Sequence, residues 1–249
     1  MKEIRVIGLR ISRDIKEGDN LSEIILEALK EENLELLDGD ILVITQKIVS
    51  KAEGNLVNLK EVKPSEFAKK ISKLLDKDER LVEVILRETK RIVKMDRGII
   101  ICETHQGFIC ANAGVDQSNV GNERVSLLPK NPDFSAKALR REIKDLTGKD
   151  IAIIISDTFG RPWREGQVNF AIGIAGLEPL LNYRGRVDSH GYELKATVIA
   201  VADELASSAE LVMGKLDNTP IALIRGYPYL RGRASIKKMI RRAEKDLFR

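Results

Sequence analysis

The stretch IAIIISDTFGRPWREGQ, residues 151–167, is where the reading of this chain begins. Ile151–Ile155 is the most apolar run in the sequence, isoleucine at four of five positions. A short unbroken run of that kind, bounded by turn residues, reads as a strand buried on both faces. It ends at Ser156-Asp157-Thr158, so the strand delivers a carboxylate and a hydroxyl at its end. The following FGRPWREGQ reads as a flexible glycine-rich loop. Arg161 and Arg164 in it suit phosphate or carboxylate recognition through a bidentate fork. The plainer reading is a surface loop with Trp163 as its anchor.

Outward from this strand the elements mix without strict alternation. EIRVIGLRI near the N-terminus and Ile221–Ile224 read as strands, as does Ile41–Thr45 after the turn Asp38-Gly39-Asp40. Leu21, Ile24, Ile25, Ala28 and Leu29 recur at helical spacing behind a capping Asn20 or Asp19. Pro64-Ser65 opens a helix with Phe67, Ile71, Leu74 and Leu75 on one face. A second helix carries Leu81, Val84, Ile85 and Ile92. Ile99–Cys102 and Phe108–Ala111 form a hairpin that runs into the polar loop NAGVDQSN, residues 112–119. Helices are expected over Ser135–Leu146, over Asp203–Met213 with Gly214 just past its end, and over Ser235–Leu247. This pattern points to an α+β fold rather than a doubly wound sheet.

The chain has 249 residues, 42 basic and 38 acidic, and a hydrophobic content of 43%, which is enough for a real core. No apolar run approaches the roughly 18–20 residues that a bilayer span needs. The N-terminus is too interrupted by charge for a secretory signal. A cytoplasmic protein with no membrane association is the expectation. Residues 225–249 hold nine basic and two acidic side chains, which makes the tail +7 against a total of +4. Without interleaved aromatics this reads as a solvated helix face, with no nucleic-acid partner expected. Arg231 and Arg233 could also meet phosphates on a small ligand. Two cysteines, Cys102 and Cys110, are too few for a disulfide framework and read as buried thiols. With only two histidines beside them, a metal here must rely on oxygen ligands.

Asp116 and Asp157 are the most informative pair. Each follows an apolar β segment in a glycine-containing stretch, where a scaffold aims a carboxylate into a crevice. Magnesium and manganese take one or two carboxylates plus substrate phosphates, and Thr158 adds a hydroxyl. Aspartates also cap turns, and spacing alone leaves both readings open. Lys47 and Lys51 follow a strand and reach phosphates in the same way. Met213-Gly214-Lys215-Leu216 lacks the first glycine and the Ser/Thr of a P-loop. His190, in Asp188-Ser189-His190-Gly191, reads as a hydrogen-bonding loop residue or an acid–base group.

Read together, IKEGD, VSKAEG, NAGVDQSNV, ISDTFGRPWREG with FAIGIAG, RVDSHGYEL, VADELASSAELVMGK and ALIRG resemble the coenzyme F420-0:L-glutamate ligase family. They lie in order from Gly8 to Gly226. The resemblance implies a GTP-dependent ligase that joins L-glutamate to coenzyme F420-0 through an acyl phosphate, releasing GDP and phosphate, and that can add a second, γ-linked glutamate. A related nucleotide-dependent amide ligase acting on a different carboxylate is the alternative. By position, Asp116 and Asp157 take the catalytic role and, with Thr158, ligate two divalent ions, Mg2+ or Mn2+, with K+ as a further candidate. Ile15, Lys16, Gln46, Lys47, Lys51, Asn119, Met213, Gly214, Lys215, Leu216 and Asp217 match the nucleotide site. Lys215 departs from the Glu or Gln of several relatives, and a protonated lysine is no metal ligand. It stands in for a cation's charge or contacts a phosphate. The N-terminal segment GLRISRDIKEGD is longer than in relatives. The resemblance further implies an intertwined homodimer of a single ligase unit, residues 1–249, in two interlocked subdomains with mixed and antiparallel sheets. They are placed approximately at 1–95 plus 205–249, and at 96–204. No reductase chemistry is expected.

Overall fold

The two most apolar runs of the sequence lie side by side. In the computed structural model, which describes residues 3–246, the elements in chain order are as follows. Strand β1 is Arg5–Leu9, α1 Leu21–Glu31, β2 Ile41–Thr45, α2 Gln46–Ala52, β3 Leu56–Asn58, α3 Glu66–Leu75, and α4 Glu79–Arg87. Then come β4 Thr89–Asp96, β5 Ile99–Thr104, β6 Ile109–Ala111, β7 Arg124–Ser126, α5 Pro132–Thr147, and β8 Ala152–Arg161. The rest are β9 Arg164–Ala175, β10 Leu181–Asn182, β11 Val198–Ile199, α6 Val201–Met213 and β12 Ile221–Arg225. The architecture is mixed α and β, with mixed and antiparallel sheets.

The central sheet has the order β1-β12-β2-β8-β9. Only β2 and β8 run parallel, in register from Ile41↔Ala152 to Thr45↔Ser156. Both are buried along this paired stretch, apart from half-buried Thr45, as parallel strands covered on both faces must be. Helix α5 packs on β8 and β9, and α6 on β9, β1 and β12. Their apolar side chains join the sheet in the larger core. Asn20 caps α1 by accepting the N–H groups of Ser22 and Glu23. Asn131 caps α5, whose first residue is Pro132.

A second apolar core is drawn from residues 59–125. It gathers α3 and α4 against the antiparallel sheet β4-β5-β6. Cys102 and Cys110 face each other across β5 and β6, both buried as free thiols. Desolvation pushes the Cys102 thiol up from its ordinary range, and Cys110 still further. Among the described residues, no helix is long and apolar enough to cross a membrane.

Several local expectations are corrected. Helix α2 was not foreseen: its seven residues, QKIVSKA, contain a single helical turn's worth of pattern. Ile92 belongs to strand β4 rather than to the helix before it, which ends at Arg87. On α3 the buried face is Ala68, Ile71 and Leu75, while Phe67 and Leu74 are exposed. FGRPWREGQ is no flexible loop. Past Ser156, β8 has left β2 and continues with β9 alone, pairing Asp157↔Phe170 through Arg161↔Arg164. This two-stranded arm is reinforced by stacking of Phe159 on Phe170, centroids 5.8 Å apart. Trp163 sits at its tip at φ +65° and is 85% exposed.

The expected helix over Ser235–Leu247 is also absent; within the described residues the segment holds two short 3-10 turns, Ile236–Met239 and Ala243–Lys245. Leu247 lies outside the described residues. Asp133 of α5 docks the start of this segment. Its carboxylate accepts the Ile236 N–H and the Ser235 hydroxyl, holding the chain against the body of the protein. The tail's charge is partly spent internally: Arg225 pairs with buried Asp40, Arg231 with Asp150, and Lys238 with Glu178, each at 2.7 Å.

Candidate active site

Four segments of chain converge at one end of the central sheet because of its strand directions. Parallel β2 and β8 bring Thr45 beside Ser156, so α2 begins next to Asp157. Antiparallel β12 starts at the same end, where the Pro220 carbonyl accepts the Thr45 N–H at 2.9 Å. β1 finishes there too, with Leu9 opposite Ile221. The chain beyond it is tied back by the Ile11 N–H to the Asn218 carbonyl, 2.9 Å. Ligand sites of α/β sheets lie beyond such carboxyl ends. A cavity of about 810 Å3 opens here.

The second core delivers Asp116. After β6 the backbone passes through Asn112, Ala113 and Gly114 at φ +52°, +53° and +73°. Buried Ala113 has no easy access to this left-handed region, so the turn stores strain of about 1 kcal/mol or more. Asp116 is then clamped to Ser126 by reciprocal backbone bonds of 3.1 and 2.8 Å. Its carboxylate meets the Lys47 ammonium, which also contacts the Ser118 hydroxyl and donates to the Ser118 carbonyl at 2.8 Å. Ser118 donates its N–H to Asp116 at 2.8 Å and its hydroxyl at 2.7 Å. Burial by itself would raise the Asp116 pKa; these hydrogen bonds outweigh it, and the pKa lies below the ordinary carboxylate range.

Asp157 experiences the opposite balance. Desolvation raises its pKa to about 6, against the Thr158 N–H that lowers it, and the charge of Asp116 raises it further. Two carboxylates that feel each other, one held ionised and one partly neutralised, are what a hard cation would offset. Among the described residues no group of three or more His, Cys, Asp or Glu is placed to hold a metal. A cation here would take two carboxylates and the Thr158 hydroxyl, and complete its shell with water or phosphate oxygens, as Mg2+ does. The donor set fits that group.

Most of the residues singled out from sequence do meet at this cavity. Ile15, Gln46, Lys47, Lys51, Asn119, Met213, Gly214, Lys215 and Leu216 line it with Asp116, Asp157 and Thr158. Lys51 is held by Asp14 at 2.6 Å, and buried Gln46 accepts the Ser50 hydroxyl at 3.0 Å. Lys16 and Asp217 stand just off the lining; the Lys16 N–H closes a turn on Asp19, and the Asp217 carboxylate lies against Gly214. Arg161, Arg164 and His190 are not among the lining residues. The Arg161 guanidinium donates to the Glu165 carbonyl at the arm's tip, and the His190 N–H closes a turn on Asp188.

Lys215 reaches into the site. Its ammonium donates to Thr158 Oγ1 at 2.7 Å and pairs with Glu210 of α6 at 2.8 Å. The other Glu210 oxygen is buried with no partner. Glu210 was missed in the sequence, where ELVM reads only as the end of an amphipathic helix. Ser156 and Asn169 were also missed, although each is a polar residue inside an apolar strand. Asn169 Oδ1 accepts the Thr158 hydroxyl at 2.7 Å, so it positions that side chain.

Comparison with known proteins finds relatives along the whole chain. The profile of the F420-0:Gamma-glutamyl ligase family matches residues 8–226. The coenzyme F420:L-glutamate ligase of Methanothermobacter thermautotrophicus is 46% identical over 249 residues, covering 99% of each chain. That of Methanocaldococcus jannaschii is 44% identical over 251 residues, covering all of this chain and 98% of its own. That of Archaeoglobus fulgidus is 41% identical over 236 residues, covering 94% and 92%. With the match running through every segment that forms the cavity, this chain belongs to the F420-0:gamma-glutamyl ligase family.

Proposed function

We propose that this chain is a GTP-dependent ligase that joins L-glutamate to coenzyme F420-0, and then adds a second glutamate through the γ-carboxylate of the first. The observation that carries the reading is the meeting of Asp116, Asp157, Thr158 and Lys47 at the end of the sheet. A carboxylate is a poor acyl donor. Transfer of the γ-phosphoryl group of GTP to it creates an acyl phosphate, which the amine of glutamate then attacks, releasing phosphate. Such transfers need little covalent work from the protein; positioning and charge neutralisation dominate.

The chain's residues supply both. Lys47 and Lys51 neutralise phosphate charge from α2, with Arg13, Asn119 and the 213–216 segment around the rest of the nucleotide. Asp116 and Asp157, with Thr158, hold Mg2+ or Mn2+, and K+ belongs to the same reading. A divalent ion held there would offset the charge of the phosphates. The Lys215 ammonium, donating to the Thr158 hydroxyl at 2.7 Å, adds positive charge at the same place. Met213 is buried in the wall of the cavity, whereas Leu216 is 91% exposed and free to cover a base. The reading includes a homodimer, which rests on the family resemblance, and sedimentation should give twice the chain mass of 27.9 kDa.

The test is phosphate release. With GTP and manganese, release should require F420-0 and L-glutamate together. Release that ignores F420-0 but depends on another carboxylate would replace this reading with the related amide ligase.

A further inference from the structure

Gly160 is a glycine that neither its backbone nor its packing demands. Glycines at positive φ need no other explanation. Of those with ordinary φ, Gly8, Gly173 and Gly232 are each crowded: an added Cβ would meet an atom at 2.7, 2.5 and 2.2 Å. Around Gly160 nothing lies within 4 Å, although it sits inside β8 and lines the cavity. The register irregularity beside it, between Gly160 and Arg161, leaves its φ ordinary. A strand glycine with open space above it marks a place where a ligand can approach the backbone.

A second observation points to the same face. Ser156 is 1% exposed, its hydroxyl has no hydrogen-bond partner, and it lines the cavity. Alternation along a strand puts Ser156, Thr158 and Gly160 on one side of the arm. Opposite them on β9, Asn169 pairs with Thr158 and Gln167 with Gly160, and both line the cavity. The arm therefore offers a strip of hydrogen-bonding groups around an open patch of backbone, with the Lys215 ammonium on Thr158 at its inner end. The cations Arg13, Lys47 and Lys51 come from other segments of the lining and suit the polyphosphate.

We propose that this strip is the subsite for the acyl substrate, the molecule whose carboxylate is activated. The carboxylate lies by the Ser156 hydroxyl at the inner end of the strip, the body of the molecule rests on the backbone at Gly160, and Gln167 hydrogen-bonds its polar edge. This deepens the ligase reading and rests on it.

The experiment measures F420-0 binding by calorimetry beside turnover, in the full-length protein. Gly160→Val, which suits a strand, should weaken F420-0 binding tenfold or more and raise its KM alike. The Mn2+–GTP affinity and the KM for glutamate should stay at wild-type values. Ser156→Ala should lower kcat/KM for F420-0 about tenfold without loss of thermal stability, since its hydroxyl has no internal partner. If the valine perturbs folding, Gly160→Ala should still weaken F420-0 binding selectively. Unchanged F420-0 affinity in the folded Gly160 variants would overturn the subsite, as would an equal loss of nucleotide affinity. Wild-type protein that binds F420-0 at this strip but never turns it over would instead sink the ligase reading.

Discussion

Asp116 and Asp157 carry the same functional group into different surroundings, and the contrast defines their roles. Lys47 and Ser118 hold Asp116 ionised, whereas Asp157 has no such partners and is poised near pH 6. Replacing Asp157 by Asn should lower ligation about 10²-fold or more while leaving circular dichroism unchanged; wild-type turnover would refute its role. Asp203 is a purely structural counterpart. Burial raises its pKa to about 6, opposed by the Ala171 N–H that it accepts at 2.9 Å. Because the folded value exceeds the ordinary 3.8, the folded state binds the proton more tightly than the unfolded chain. Stability is therefore lost as pH rises from about 4 to 6 and is flat above. Asp203→Asn keeps the acceptor and removes the charge. Its unfolding free energy should gain on wild type across that interval, by on the order of 1 kcal/mol after allowance for partial exposure. A gap that does not change with pH would contradict this.

At the scale of elements, apolar content was readable and local geometry was not. Ile41–Thr45 and Ile151–Ile155 announce buried strands because isoleucine and valine have few other uses in such runs. The arm was hidden by its own composition: FGRPWREGQ contains the residues of loops, yet it folds back on itself as a hairpin, with Arg161 opposite Arg164, Gly160 opposite Gln167 and Phe159 opposite Val168. The tail shows the reverse case. Ile236, Ile240 and Ala243 have helical spacing, yet the segment forms two short 3-10 turns, Ile236–Met239 and Ala243–Lys245. The glycines separate packing from function. Gly173→Ala would press a Cβ onto the Pro132 backbone at the start of α5, 2.5–2.6 Å away. It should cost about 1–3 kcal/mol in a denaturant titration. Gly160→Ala, with open space, should be neutral or stabilising by roughly 0.5–1 kcal/mol. Equal losses at the two positions would show that the space over Gly160 closes.

The whole molecule brings two cores to one cavity. The larger supplies the sheet end with Asp157 and Thr158; the one drawn from residues 59–125 supplies the strained turn that leads into Asp116. The two aspartates stood out in the sequence because each follows an apolar β segment, and most of the lining came from the family resemblance. Neither route pointed to Glu210 or Ser156, whose importance depends on what lies across the fold. A nucleotide that bridges the two cores stabilises both. At one hundred times its Kd, Mn2+–GTP should add about 2.7 kcal/mol, a Tm rise of roughly 5–10 °C, and the rise should shrink in Asp157→Asn. The most direct measurement is the mass of coenzyme F420-0 after incubation with the protein, L-glutamate, GTP and manganese. The account predicts a gain of one glutamyl residue, then a second, and none with Asp157→Asn. An unchanged mass across manganese and magnesium, from protein that binds the nucleotide, would contradict it.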